Sequence, residues 1–190
     1  MTRLIGISGS LRRGSYNSAL LRAAAGLMPE DSALEIGTIR GIPLFDGDIE
    51  SGQGVPASAA VLKDAIAAAD GLLLVTPEYN NSIPGVLKNA IDWLSRPHAD
   101  ARRVFGDKPV ALIGATPGNF GTAHSQTAWL PVLRTLGARP WFGGRLMVSR
   151  AAQAFDESGT LKDEGIRDGL RVFLNGFIEF VQNSPRRSPG

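Results

Sequence analysis

Apolar positions along the chain alternate between two patterns. Short unbroken runs mark buried strands: Leu4-Ile5-Gly6-Ile7-Ser8, Ala33–Ile39, Gly71-Leu72-Leu73-Leu74-Val75, Val110–Ala115 and Trp141–Val148. Between them lie stretches with helical spacing. Ala19, Leu20, Ala23, Ala24 and Leu27 form one such face, with Ser15 or Asn17 as its cap and Pro29 as its end. Pro56 is expected to start a helix whose buried side carries Ala59, Leu62, Ile66 and Ala69. Pro84 opens another with Val86, Leu87, Ala90, Ile91 and Leu94. A further helix is expected over Ala123–Leu136, kinked by Pro131, and a last one over Gly165–Val181 with Leu170, Phe173, Leu174, Phe177 and Ile178 inward. Gly41–Gly54 reads as a long loop.

Five strands alternating with five helices predict a single α/β domain over residues 1–183, a doubly wound parallel sheet with helices on both faces, followed by a flexible tail over 184–190. Sheets of this kind bind ligands beyond the carboxyl ends of their strands, where the strand order reverses. The loops after the first, third and fourth strands are therefore the candidate site.

Composition narrows the chemistry. The 190 residues include no cysteine, which excludes disulfides, thiolate metal sites and a thiol nucleophile. A formal charge of +2, without a Lys/Arg block, gives no nucleic-acid footprint. No apolar run is long enough to span a bilayer, and no signal-peptide core opens the chain, so the reading is a soluble, cytoplasmic enzyme or binding protein. Asp46, Asp48 and Glu50 imitate a calcium loop, but Ser51 stands where that loop needs Gly and Ala57 where it needs Glu. His98 and His124 have no partner carboxylate in the sequence, and Trp93, Trp129 and Trp141 read as core or interface. Arg102 and Arg103 read as a solvated basic turn.

After the first strand, Ser8-Gly9-Ser10-Leu11-Arg12-Arg13-Gly14-Ser15-Tyr16-Asn17 gathers hydroxyls, an amide, guanidiniums and glycines ahead of a helix N-terminus. Such a loop suits a dianionic monophosphate: backbone N–H groups converge on the anion, the helix end attracts it, and Arg12 forks onto its oxygens while Ser10, Ser15 and Asn17 donate. It matches neither the Walker A pattern nor the dinucleotide fingerprint. A phosphorylation-receiver domain would need an Asp after the third strand, where Thr76-Pro77 stands.

Gly-Ser-Leu-Arg-x-Gly-Ser-x-Asn after the first strand resembles the NADPH-dependent FMN reductase family of flavodoxin-like proteins, in the branch that contains quinone, chromate and azo-dye reductases. The resemblance continues through Ile42–Asp46, Thr76-Pro77-Glu78-Tyr79-Asn80, Ser82–Arg96 and Phe155–Gly159. It implies a five-stranded sheet of order 2-1-3-4-5. It also implies an FMN phosphate held by Ser10, Arg12, Ser15 and Asn17 with Tyr16 nearby. The isoalloxazine would be edged by Pro77, Glu78, Tyr79, Asn80 and Ser82, with Thr116, Gly118 and Asn119 at its other side. Pro117 and Phe120 are bulky where relatives run glycine-rich, and Thr122 stands where a second Gly is common.

The implied chemistry needs no catalytic side chain, since the cofactor carries it. NADPH or NADH would reduce FMN at N5 and leave, and a small-molecule electron acceptor would then take two electrons on the same face. A homodimer or homotetramer, through the helix near Ile91–Leu94, would complete the shallow pocket. Two alternatives remain open at this point: a flavin reductase that supplies reduced FMN to a monooxygenase, and an electron carrier without nicotinamide oxidation. A net charge of +2 counts against the carrier.

Overall fold

Leu72, Leu73, Leu74 and Val75 carry no polar group, and in the computed structural model, which describes residues 1–184, all four are buried at the centre of a parallel sheet. The strands are β1 (Thr2–Ser8), β2 (Ser32–Gly37), β3 (Gly71–Val75), β4 (Pro109–Ala115), β5 (Arg139–Pro140) and β6 (Leu146–Val148). Their order is β2-β1-β3-β4-β5, with β6 also pairing β4, and every pairing is parallel. The flavodoxin-like order expected from the resemblance is the one observed.

Because side chains alternate across a strand, neighbours on β3 serve opposite layers. Leu73 and Val75 join Ala111 and Ile113 under α1 (Tyr16–Gly26) and α8 (Glu164–Gln182), against Leu20, Leu21, Phe173, Leu174 and Phe177. Leu72 and Leu74 join Ile5, Ile7 and Val110 on the other face. There they meet α3 (Ala57–Ala68), α4 (Gly85–Leu94), α5 (Ala101–Phe105) and α6 (Ala123–Thr135) through Leu62, Ile66, Leu87, Ile91, Phe105, Trp129 and Leu133. Each fully buried large apolar side chain contributes about 1.5–3 kcal/mol, so these two layers dominate stability.

The fifth strand departs from expectation. β5 pairs only with Pro109–Val110 and β6 only with Ile113–Ala115, and the chain between them leaves the sheet. The cause is Trp141, whose indole packs edge-on against Phe173 at 4.8 Å and near Phe177 at 5.7 Å. A Cβ at Gly143, Gly144 or Gly176 would lie 2.5, 2.7 or 2.9 Å from that ring, so the detour wraps closely around it. The long loop after β2 also contains a helix, α2 (Gly47–Gln53), capped by Asp46 and ended by Gly54 at φ +78°. It buries no residue, so it left no apolar pattern. Asp46, the first residue of the calcium-like run, therefore works as a helix cap.

Ser15 caps α1, as expected for one of the two candidates, by accepting the Ser18 N–H. Pro56 and Pro84 are the capping residues of α3 and α4 rather than their first helical ones. α6 runs through Pro131, and the final helix begins at Glu164 with Asp163 as its cap. The expected tail falls outside the described residues except for Ser184, whose N–H donates to Val181 O.

Candidate functional site

β1, β3 and β4 end side by side, so residues 9–15, 76–84 and 116–122 meet at one edge of the sheet. Gly9 makes this meeting possible. Its N–H continues the ladder to Val75 O, and a Cβ there would press on Leu87 at 2.7 Å and Pro77 at 2.9 Å.

The first loop leaves hydroxyl donors uncommitted, Ser10 half-buried and Ser15 buried. Ser10 Oγ accepts the Arg12 N–H at 3.3 Å and Ser15 Oγ accepts the Ser18 N–H at 3.3 Å, which leaves each hydroxyl proton free to donate. Ala19 N–H bonds to Ser15 O, the first bond of the α1 ladder, so the N–H groups of Tyr16 and Asn17 point out of the helix end. Arg12 lies exposed, 5.8 Å from the Tyr16 ring centre, and spends one donor on Gly14 O at 2.7 Å. Tyr16 in turn stacks on Phe155 at 5.8 Å. Phe155 pairs with Leu161 across a turn built on Asp156, whose carboxyl is held below its usual range by the Ser158 hydroxyl and the Thr160 N–H. The Phe155–Gly159 segment thus braces α1 from behind.

Asn17 is placed differently from its expected use. Its side chain is buried, with Nδ2 donating to Ala115 O at 2.8 Å and Oδ1 accepting the Ala115 N–H at 2.9 Å. The carboxamide ties the start of α1 to the end of β4, and only the Asn17 backbone N–H faces the loop. Glu78 is likewise turned away from the loop edge. Its carboxylate accepts the N–H groups of His124 and Ser125 at 2.8 and 3.1 Å and so caps α6. Thr122, the residue at the capping position, gives no side-chain bond there. An acidic group at a helix N-terminus is favoured by both the unpaired N–H groups and the dipole.

Tyr79, Asn80, Asn81 and Ser82 form a tight turn. Tyr79 and Ser82 exchange N–H···O bonds of 3.2 and 3.1 Å, and Asn80 and Asn81 take φ of +51° and +58°. Two successive positive φ values are the geometry that asparagine tolerates and most residues do not. The turn carries Tyr79 44% exposed at the rim, beside Pro77. Behind it, Thr76 is buried, bonded to Ser125 Oγ at 2.8 Å and receiving the Trp129 indole N–H at 3.0 Å. Sequence reasoning treated Thr76 only as a strand stop.

In the third loop, Thr116 N–H donates to Val148 O and Thr116 O accepts from Ala151, while Gly118 O accepts from Arg150. Arg150 Nε also donates to Asn119 Oδ1 at 3.0 Å. The expected ring contacts Thr116, Gly118 and Asn119 are thereby fixed in place, with their outer surfaces open. Two crowded positions demand glycine: a Cβ on Gly121 would reach 2.6 Å from Met147 O, and one on Gly114 would overlap Thr122 Oγ1 and Thr76 O. Phe120, 73% exposed, stands out over the loop. Among the described residues no group of three His, Cys, Asp or Glu side chains is placed to hold a metal ion, and no helix is long and apolar enough to cross a membrane.

A doubly wound sheet of this order, with an anion-ready helix start after its first strand and two turn-rich loops beside it, defines a flavodoxin-like nucleotide-binding protein. A sequence model of the NADPH-dependent FMN reductases matches residues 2–153. The chain belongs to that family of oxidoreductases, whose cofactor is FMN and whose reductant is a nicotinamide nucleotide. It is 46% identical to an NAD(P)H-dependent FMN reductase of Pseudomonas aeruginosa over 180 residues, 95% of each chain, and 35% identical to a quinone reductase of Escherichia coli over 185 residues, 95% of each. Among solved structures it resembles FerB, a flavoenzyme NAD(P)H:(acceptor) oxidoreductase of Paracoccus denitrificans, with a TM-score of 0.85 at 30% identity, covering 97% of this chain and 99% of that one.

The residues present fit FMN. One recess offers two hydroxyl protons, two helix-end N–H groups and a guanidinium to a phosphate. The neighbouring loops offer backbone and an aromatic rim to a flat ring.

Proposed function

We propose that the chain reduces quinones or similar electrophiles with NAD(P)H through FMN held across the three loops. The observation that carries this is the helix start of α1, where Tyr16 and Asn17 N–H, the Ser10 and Ser15 hydroxyls and Arg12 converge without a carboxylate among them. These groups hold the phosphate. The turn at Tyr79–Ser82 and the loop at Thr116–Asn119 border the ring, Pro77 packs below it, and Tyr79 and Phe120 screen its open side from water. When bound, FMN takes a hydride from NAD(P)H and gives two electrons to the acceptor.

The protein works as a homo-oligomer in this reading. A groove of about 730 Å³ runs between α4, α5 and α6, floored by Ile91, Val132 and Leu136 and rimmed by Lys88, Asp92 and Arg102. A rim that carries both signs suits a second copy turned about a two-fold axis.

The test is an absorption spectrum of the purified protein, before and after NADPH or NADH under argon. Flavin bands near 370 and 450 nm (about; the usual oxidised-flavin positions) that bleach, followed by recovery on adding a benzoquinone, are expected. A protein that neither carries nor takes up FMN refutes the proposal.

A further inference from the structure

Next to the phosphate recess, sharing Ser10 and Arg12 with it, a cavity of about 310 Å³ extends toward β2. Its wall is formed by Arg12 and Arg13 from the loop after β1, Arg22 from the flank of α1, and Arg40 with Thr38 from the segment after β2. Ser18, the third residue of α1, also lines it.

Four arginines line this cavity and no acidic residue does, Arg22 at its edge with one terminal nitrogen turned toward Gly159. Elsewhere Arg96, Arg103, Arg167 and Arg171 each stand within 4 Å of a carboxylate. Here Arg13 and Arg22 make no hydrogen bond or ion pair among the described residues, and both are exposed. Arg40 is held in position, since one of its terminal nitrogens donates to Leu11 O at 2.8 Å and its backbone N–H to Thr38 Oγ1 at 3.1 Å. One arginine is therefore anchored, and two carry no hydrogen bond or ion pair among the described residues, around a hollow that hydroxyls also face. Like charges left together in a chain of net charge +2 are an arrangement that a multiply charged anion relieves.

FMN brings one phosphate, and the start of α1 takes it. The remaining anionic ligand of the proposed reaction is the nicotinamide nucleotide. Strands in a sheet lie roughly 4.8 Å apart, so β2 is about 10 Å from β3 and about 14 Å from β4, where the flavin ring would lie. A dinucleotide with its nicotinamide over that ring and its other end toward β2 brings its adenosine ribose to the cavity. Only NADPH carries a dianionic phosphate on that ribose. We infer that Arg13, Arg22 and Arg40 form the binding site for the 2′-phosphate of NADPH and give this chain its preference for NADPH over NADH. The assignment rests on the flavin-reductase reading for its ligand, while the basic cavity is independent of it.

The test uses adenosine 2′,5′-bisphosphate against adenosine 5′-monophosphate as probes, by calorimetry at low salt, on the wild-type chain and on R13A/R22A. Neither arginine makes a hydrogen bond or ion pair among the described residues and both are exposed, so the double variant is expected to keep its fold, which far-ultraviolet circular dichroism checks. The bisphosphate is expected to bind the wild type at least about tenfold more tightly than the monophosphate, the size of one charge-assisted contact. R13A/R22A is expected to lose that gap. In turnover by the FMN-loaded protein, the variant is expected to lower kcat/KM for NADPH about tenfold and leave that for NADH unchanged. Equal affinity of the two probes for the wild type overturns the inference, as does a gap that survives in R13A/R22A. Loss of FMN from the variant also overturns it, because the cavity would then serve the flavin phosphate. A wild type that binds the bisphosphate selectively but holds no FMN supports the cavity assignment and refutes the flavin reading instead.

Discussion

Asn17→Ala separates a bracing role from a ligand-binding one. The substitution deletes two hydrogen bonds of 2.8 and 2.9 Å at a position 4% exposed, and it leaves the N–H and C=O of buried Ala115 without partners. Each buried backbone group left unsatisfied costs about 1–3 kcal/mol. A water entering the vacated space recovers part of this, so a loss of about 2–4 kcal/mol is expected. For a urea slope of about 2 kcal/mol/M, the midpoint falls by about 1–2 M. The assay is urea unfolding of the apoprotein at pH 7, followed by tryptophan fluorescence, with Arg12→Ala run beside it. Arg12 is exposed and bonds only within its own loop, so Arg12→Ala should keep its midpoint while losing roughly ten- to a hundredfold in FMN affinity. Asn17→Asp should be nearly as destabilising as Asn17→Ala, because a carboxylate accepts the Ala115 N–H but repels the Ala115 carbonyl. An Asn17→Ala midpoint within about 0.25 M of wild type would refute the reasoning, since it corresponds to only about 0.5 kcal/mol.

Glu78→Ala removes the cap of α6 and should cost about 1 kcal/mol in thermal or urea unfolding, with Glu78→Gln losing less because it still accepts the His124 and Ser125 N–H groups. Gly114→Ala forces a methyl into Thr122 and the Thr76 carbonyl, where the backbone has to move. A loss of about 2 kcal/mol or more, or failure to accumulate as folded protein, is expected and read by soluble yield and unfolding midpoint. Asp100 is held well below the usual carboxylate range by the Arg103 guanidinium first and by Lys63 second. A carboxyl lowered on folding contributes stability that is present at neutral pH and fades as pH falls below about 4. Asp100→Asn should therefore lower the urea midpoint at pH 7, where Lys63 keeps Arg96 O, and the gap to wild type should narrow as pH falls below about 4 without closing by about pH 2.

The parts of this fold that were legible in the sequence are those with local causes. β3, β4 and the Leu4–Ile7 centre of β1 are apolar runs, α1 and α8 carry periodic faces, and Ser15 sits one residue before its helix. The fifth strand was misread because the break depends on Trp141 reaching Phe173 and Phe177 across the layer, with Gly143 and Gly144 as the only local trace. α2, α5 and α7 (Ala151–Ala154) are seven, five and four residues long, too short to show a period. At the site, residue types single out loops that the fold brings together, but not the direction of each side chain. The partners of Asn17 and Glu78 lie 98 and 46 residues away, and nothing local announces them.

Those two side chains belong to a set that fastens the three loops to one another. Asn17 joins the first to β4, Glu78 joins the second to α6, and Thr76 joins the second to Ser125 and Trp129. Arg150 holds Asn119 and Gly118 of the third, and Arg40 holds Leu11 of the first from the β2 side. Loops pinned in this way lose little further freedom when a ligand arrives, and the ordering cost that would otherwise subtract from affinity is met on folding. The consequence is a division of labour within one short motif. Polar side chains facing inward set the positions of backbone N–H groups, of hydroxyls with an uncommitted proton and of the exposed Arg12, and in the proposed function those groups meet the ligand. Substitution of an inward residue should therefore lower stability and affinity together, while substitution of an outward one should lower affinity alone. The paired measurements on Asn17 and Arg12 read that difference directly.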